Sequence, residues 1–342
     1  MEKVVSNCLS CGRFAEINEQ QICFWCGNKR KLSAKTATKR NGNSAFTAVG
    51  KARFVTGSQL HRDTLKLVQL IPPDVVAVVG VARSGMVVAT MVSMLLHRPL
   101  FAIRQTLGDV ISVGNGWRLG GEKHLEPMRG KVVVVDDTVM TGNSLKAIKH
   151  VLADRFPDHI TASVYVNPFA ARKPDLHAVD LHWPHLLEWN LFNSVLSPNM
   201  ACDFDGILCS DCQPGQDDDG DRYLDFIANA KPLYMPRKVP IPLIITARIE
   251  KYRQPTVEWL HRHGIKVHRL VMHPASTLAE RNSDDVAAWK AREFVRWNND
   301  HKPTPPPNAF IESDDRQARR INEISGLMTI CPASAMVYQR GQ

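Results

Sequence analysis

Apolar runs of strand length recur along most of the chain, separated by stretches whose apolar positions return every three or four residues. The clearest of a first series are DVVAVVG at 74–80, KVVVVDD at 131–137 and ITASVYV at 160–166, with amphipathic stretches at 84–96 and 143–156 between them. A second series starts near residue 199, with MACDFDG, PLIITAR, KVHRLVM and NAFIESDD as its strands. Strands alternating with helical patterns predict parallel sheets covered by helices on both faces, hence an α/β fold class with two open, three-layer domains. Residues 49–197 and 198–342 hold the two series. Ahead of them lie a short Cys-rich segment, 1–30, and a polar basic linker, 31–48; a Pro-rich connector, KPTPPP at 302–307, precedes the last strand.

Length supports this division, because 342 residues exceed one typical core. The longest apolar run, 75–82, is of strand length, and the first residues lack the apolar core of a secretory signal, so we expect a cytoplasmic protein without a membrane partner. The formal net charge of +9 suits anionic partners. Much of the excess is local: Lys29, Arg30, Lys31, Lys35, Lys39 and Arg40 lie together with no acid among them. This N-terminal basic segment reads either as a solvated linker or as a contact for nucleic acid.

Eight cysteines in a chain of this size do not form a secreted disulfide scaffold. Cys8, Cys11, Cys23 and Cys26 have the C-x2-C…C-x2-C spacing that places four thiolates around one structural Zn2+, and the segment resembles a zinc ribbon. Cys209 and Cys212 repeat the spacing without a second pair and read as free thiols or a local flap feature.

The most specific feature is KVVVVDDTVMTGNSL. Four consecutive valines suit a strand buried on both faces, and Asp136 and Asp137 emerge at its carboxyl end. Thr138 follows, and Thr141, Gly142, Asn143 and Ser144 form a small-residue loop opening a helix, where backbone N–H groups and hydroxyls bind phosphate. This run resembles the PRPP signature of the type I phosphoribosyltransferases, a Rossmann-like fold. The resemblance implies that Asp136 and Asp137 contact the ribose hydroxyls, with Mg2+ held through them, and that Thr141 to Ser144 hold the 5-phosphate. Met140 stands where some purine enzymes carry an acid. VVGVARSGMVVA resembles the family's pyrophosphate loop, which puts Arg83, Ser84 and Gly85 on the leaving group. The basic, Gly-rich stretch 104–129 takes the place of the mobile loop, with Arg104, Arg118, Lys123 and His124 as pyrophosphate contacts. In HWPHLLEWNLF, Trp183, Glu188, Trp189 and Phe192 are the contacts expected for an unidentified base, with core packing as the alternative for each. Members of this family often pair as homodimers.

The second series carries its own acids. Asp203 and Asp205 end one apolar strand, Thr246 ends another, Lys290 lies on an amphipathic stretch, and Glu312, Asp314 and Asp315 follow the last strand. Carboxylates, a hydroxyl and a lysine at strand ends suit Mg2+-assisted phosphoryl transfer. The set resembles the haloacid-dehalogenase-like hydrolases. That implies Asp203 as nucleophile, Asp205 as general acid/base, Thr246 and Lys290 on the phosphoryl group, and Asp203, Asp205, Asp314 and Asp315 as candidate Mg2+ ligands, with Glu312 competing for the role. Arg248, Lys251 and Arg253 could hold an anionic part of a phosphomonoester substrate, or begin a solvated helix. The reading is a bifunctional enzyme of nucleotide metabolism that joins a base to ribose 5-phosphate and hydrolyses a phosphate. Two alternatives stay open: a PRPP-sensing regulator that binds nucleic acid, and a nucleic-acid-end phosphatase with a PRPP-fold binding module.

Overall fold

The computed structural model describes residues 5–7, 14–16, 51–105, 107–114, 130–237, 239–301 and 308–340. The chain divides into two compact units, Met1–Asn41 and Gly42–Gln342. In the first, β1 (Val5–Asn7) pairs antiparallel with β2 (Phe14–Glu16). Cys8, Cys11, Cys23 and Cys26, the linker 31–48 and the connector 302–307 lie outside the described residues.

The second unit is α/β and contains two six-stranded sheets. It opens with β3 (Arg53–Val55) and α1 (Gly57–Leu70), the helix capped by Thr56, whose hydroxyl accepts from Gln59 N. The first sheet uses β4 (Ala77–Ala82), β5 (Leu100–Arg104), β6 (Asp109–Gly114), β7 (Val132–Val139), β8 (His159–Val166) and β9 (Leu176–Asp180), in the order β6-β5-β4-β7-β8-β9. All pairs are parallel except β5–β6. Helices α2 (Gly85–Leu96) and α3 (Asn143–Arg155) follow β4 and β7. The valine run of β7 explains itself here. Val133 and Val135 pack into the cluster of Leu60, Leu67, Val88 and Val92 from α1 and α2, whereas Val132 and Val134 pack with Ile148 and Leu152 of α3. Side chains alternate along a strand, so a strand covered on both faces needs apolar residues at every position. Chain reversal at β6, within the stretch read above as mobile loop, was not visible as an apolar run because β6 is largely exposed.

The second sheet runs β13-β12-β11-β14-β15-β16, built from β11 (Met200–Cys202), β12 (Leu243–Ile249), β13 (Leu270–His273), β14 (Ala309–Ile311), β15 (Met328–Cys331) and β16 (Met336–Tyr338). Only the β15–β16 pair is antiparallel. One face is covered by α7 (Val286–Asp300) and α8 (Asp315–Ser325), whose Trp289, Phe294, Trp297 and Ile321 pack on Ala201, Ile245 and Phe310. The other face packs with Phe226 of α4 (Asp221–Asn229) and Trp259 of α5 (Arg253–Arg262) in a cluster that continues into Phe54, Trp183, Leu186, Leu191 and Leu196. The last five precede the second sheet in the chain. One apolar cluster therefore serves both halves, with β10 (His185–Leu187), paired parallel to β3, at the seam.

Shared burial predicts that the halves unfold together. Urea unfolding followed by tryptophan fluorescence and by far-ultraviolet circular dichroism should give one coincident transition. Leu196→Ala, which empties a fully buried site at the seam, should lower its midpoint by the equivalent of about 2–5 kcal/mol. Two separated transitions in the unaltered chain would show the halves to be independent.

Candidate functional site

Ligands of open α/β sheets bind beyond the carboxyl ends of strands, where the strand order reverses. In the first sheet that point lies between β4 and β7, and both loops singled out in the sequence meet there. A Cβ on Gly85 would stand 2.9 Å from Asp136 Oδ1 and 2.9 Å from the Val135 carbonyl, so only glycine lets the loop after β4 close on β7. Ser84 Oγ then donates to Asp137 Oδ1 at 2.8 Å, and Trp189 Nε1 donates to Asp137 Oδ2 at 2.7 Å. The Asp137 amide donates to Asp136 Oδ1 at 3.0 Å. Both carboxylates are buried. Burial, then the charge and hydrogen bonding of Asp137, push the Asp136 carboxyl well above its usual range, against a hydrogen bond from Ser144.

Beyond β7 the chain turns through Met140, Thr141 and Gly142 into α3. Gly142 is left-handed at φ +82°, and a Cβ there would lie 2.3 Å from the Arg172 carbonyl. The Asn143 amide donates to Thr141 Oγ1 at 3.3 Å. The first turn of α3 thus presents Asn143 and Ser144 at a helix N-terminus, where the dipole and free N–H groups favour an anion. Thr138 Oγ1 is buried without a hydrogen-bond partner among the described residues, so it remains available to a ligand. Arg83 is exposed at the mouth. Asp136 and Asp137 supply the hard oxygen donors that Mg2+ prefers.

Other expected contacts of this site are redistributed. Arg104 does not face the loop after β4; its Nε donates to Asp109 Oδ1 at 2.7 Å, an exposed tie between β5 and β6. Arg118, Lys123 and His124 lie outside the described residues. Trp183 is only 4 % exposed and belongs to the apolar seam rather than to an open base pocket. Glu188 is committed to Gly57 N at 2.6 Å and to the Tyr234 hydroxyl at 3.4 Å, and Phe192 packs on the Tyr234 ring. Trp189 alone of the four reaches the acidic pair, stacked on Tyr165, whose hydroxyl donates to buried Asp63.

In the second sheet the reversal lies between β11 and β14. Asp203 follows β11 and Glu312 follows β14, and Lys290 of α7 stands between them, its Nζ 2.6 Å from Asp203 Oδ2 and 2.7 Å from Glu312 Oε2. All three are buried. Burial and the Glu312 charge push the Asp203 carboxyl up, against Lys290; burial alone would lower Lys290, but the two carboxylates hold it raised. Asp205 is gripped by Arg248, Nε to Oδ2 at 2.9 Å and Nη2 to Oδ1 at 2.6 Å, with Cys209 Sγ 3.3 Å from the same carboxylate. Buried Arg248 also lies over the Phe204 ring at 4.0 Å. Buried Thr246 of β12 accepts from Arg248 N at 3.2 Å.

Several assignments change. Arg248 is neither an open anion contact nor solvated, and Lys251 and Arg253 are bound to Asp219 and Glu250. Asp315 accepts from the hydroxyls of Ser334 and Tyr338, while Asp314 caps α8 through Gln317 N. Asp211, which no sequence pattern marked, is pushed up by partial burial and then by the charges of Asp205 and Glu312. The oxygen donors suit Mg2+ chemically, yet among the described residues no group of three or more His, Cys, Asp or Glu is arranged to hold a metal ion. Cys209 and Cys212 are free thiols.

These buried charges carry two expectations. Because the folded state raises the Asp136 pKa above its unfolded value, near 3.8, ionisation costs stability as pH rises. Asp136→Asn should therefore unfold at higher urea than the unaltered chain at neutral pH, with the gap closing below about pH 4. Lys290→Met should cost about 3–5 kcal/mol at neutral pH, since it leaves two buried carboxylates face to face, and the loss should shrink on acidification. Urea midpoints at two pH values check both.

Residues 64–199 match the family model of the phosphoribosyl transferase domain. No curated protein matches the chain. Among solved structures, the chain is similar to a xanthine-guanine-hypoxanthine phosphoribosyltransferase from Helicobacter pylori at 23% identity, covering 41% of this chain and 93% of that one with a TM-score of 0.32. It is also similar to a purine phosphoribosyltransferase from Pyrococcus horikoshii, at 18% identity, 40% and 93% coverage and a TM-score of 0.32. An orotate phosphoribosyltransferase from Aeropyrum pernix matches at 24% identity, 33% and 60% coverage and a TM-score of 0.26. The segment that carries the loop after β4 and the acidic strand β7 is thus a phosphoribosyl transferase domain.

Proposed function

We propose that the chain is a two-site enzyme, transferring phosphoribose from PRPP to a nucleobase or base-like acceptor at the first sheet and hydrolysing a phosphomonoester at the second. The observation that carries the first half is the meeting of the loop after β4 with Asp136 and Asp137, within the segment matched by the family model. There the α3 N-terminus would seat the 5-phosphate, the two aspartates the ribose hydroxyls, and Arg83 the pyrophosphate. A base nitrogen attacks C1 as the bond to pyrophosphate breaks, and the leaving group carries away the bonding electrons. The residues act by positioning and by charge, since Met140 offers no proton. Asp137 can accept from a ribose hydroxyl while keeping Ser84 and Trp189, because a carboxylate has about four lone-pair sites.

The second half rests on the Lys290 bridge between Asp203 and Glu312. An Asp203 oxygen would attack phosphorus, the alcohol oxygen would leave with the bonding electrons, and water would then cleave the acyl phosphate to regenerate the carboxylate. Lys290 orients Asp203 and offsets the charge of Glu312. The Arg248 grip holds Asp205 in place through two hydrogen bonds, so proton transfer by Asp205 requires that pair to loosen. The resemblance to haloacid-dehalogenase-like hydrolases supports this reading, as does the fusion itself: the product expected at one site is a phosphomonoester, the substrate class of the other. Mg2+ would supply charge neutralisation at both. The Cys-rich segment would bind structural Zn2+.

The test is product release by the full chain with PRPP, Mg2+ and a panel of bases. Pyrophosphate and orthophosphate should both appear. Asp137→Asn should cut pyrophosphate release at least about a hundredfold, the scale of losing a positioning contact in the transition state, while leaving hydrolysis of added phosphomonoesters. Asp203→Asn should do the reverse. Release of neither product would overturn the proposal.

A further inference from the structure

A groove of about 400 Å3 between α3, β8 and the loop that follows is lined by Leu145, Lys146, Lys149, His150, Thr161, Arg172 and Lys173. We infer that this groove binds the phosphodiester backbone of a nucleic acid. It gathers four permanent cations and a histidine with no acid in its lining. Lys146, Lys149 and His150 follow the three- and four-residue spacing that puts them along one face of α3. Arg172 and Lys173 join them in the lining. None of the four cations forms an ion pair among the described residues, although the chain elsewhere pairs many of its exposed cations. Unpaired like charges held together repel one another, and that arrangement is relieved by a polyanion.

The lining is fixed. The Arg172 carbonyl lies against Gly142, close enough that a Cβ there would be at 2.3 Å. Asp175 staples the following loop to β8: its Oδ2 accepts from Thr161 N at 2.7 Å and from Thr161 Oγ1 at 2.8 Å, and its amide donates back to Thr161 Oγ1 at 3.0 Å. Asp175 thus bonds Thr161 and forms no ion pair with Lys146, Lys149, Arg172 or Lys173 among the described residues. Cations from α3 and from the loop at 172–173 line one groove and can meet successive phosphates. The lining has no Phe, Tyr or Trp on which a base could stack, so the contacts are to the backbone and carry no sequence preference. The groove adjoins the loop from Thr141 to Ser144, where Arg172 lies against Gly142, and extends from it along Lys149, His150 and Lys173.

Binding of fluorescein-labelled single-stranded RNA and DNA of mixed sequence to the full chain, followed by anisotropy across a salt series, tests the proposal. Lys149→Glu/Lys173→Glu should weaken both strands by about twentyfold or more at ~0.1 M salt, and should flatten the slope of log affinity against log salt by about 1.4, that is ~0.7 for each of two phosphate contacts. Lys149→Gln/Lys173→Gln should weaken them in the same direction, with thermal melts unchanged in both variants. Failure of the unaltered chain to bind either strand at low salt would overturn the proposal. So would unchanged binding by the groove variants combined with its loss in Lys31→Glu/Lys35→Glu, which would move the contact to the N-terminal basic segment. Equal competition by inorganic phosphate or a mononucleotide would likewise overturn it, since a short track of phosphates should favour the strand.

Discussion

Carboxylates held inside the protein at the ends of parallel strands are the constraint around which both halves are arranged. A buried acid is costly unless something bonds or neutralises it. At the end of β7 the solution is polar: Ser84 and Trp189 occupy Asp137, and Asp136 is left pushed toward its neutral form. At the ends of β11 and β14 the solution is ionic: Lys290 stands between Asp203 and Glu312, and Arg248 closes on Asp205. The first arrangement leaves acceptor capacity for hydroxyl groups. The second holds one carboxylate oxygen in place beside a fixed cation. The difference in chemistry between the two sites follows from how each copes with the same burial.

The seam adds a second link. Trp189 donates to Asp137 from within the segment whose Trp183, Leu191 and Leu196 pack on the second sheet. A residue that touches the acidic pair of one site is thereby positioned by the core of the other half. Burial of this kind is not continuously deformable. Displacement of the 183–196 segment would reach Asp137 through one hydrogen bond.

Much of the fold was legible, since burial imposes period and composition on local sequence. The valines of 132–135, the paired acids after them and the small residues of the following loop occupy adjacent positions, so their roles could be read together. The same holds for Asp203 after β11. What escaped were partners distant in sequence. Arg248, Lys251 and Arg253 look alike as a basic run, but one faces Asp205 in the interior, one meets Asp219 and one meets Glu250. Trp183 and Trp189 share one short aromatic stretch, yet the first is core and the second reaches an acid. β6 was missed because an exposed antiparallel edge strand needs no apolar run.

By itself the sequence determined the α/β alternation, the two acidic strand ends and the phosphate-type loop opening α3, because each follows from residues within a few positions of one another. Only the tertiary structure decided which cation neutralises which acid, that one apolar cluster spans both halves, and that Lys149 and Lys173 line the same groove. Those facts depend on chain crossovers that bring remote residues within a few ångströms, and no local period encodes a crossover.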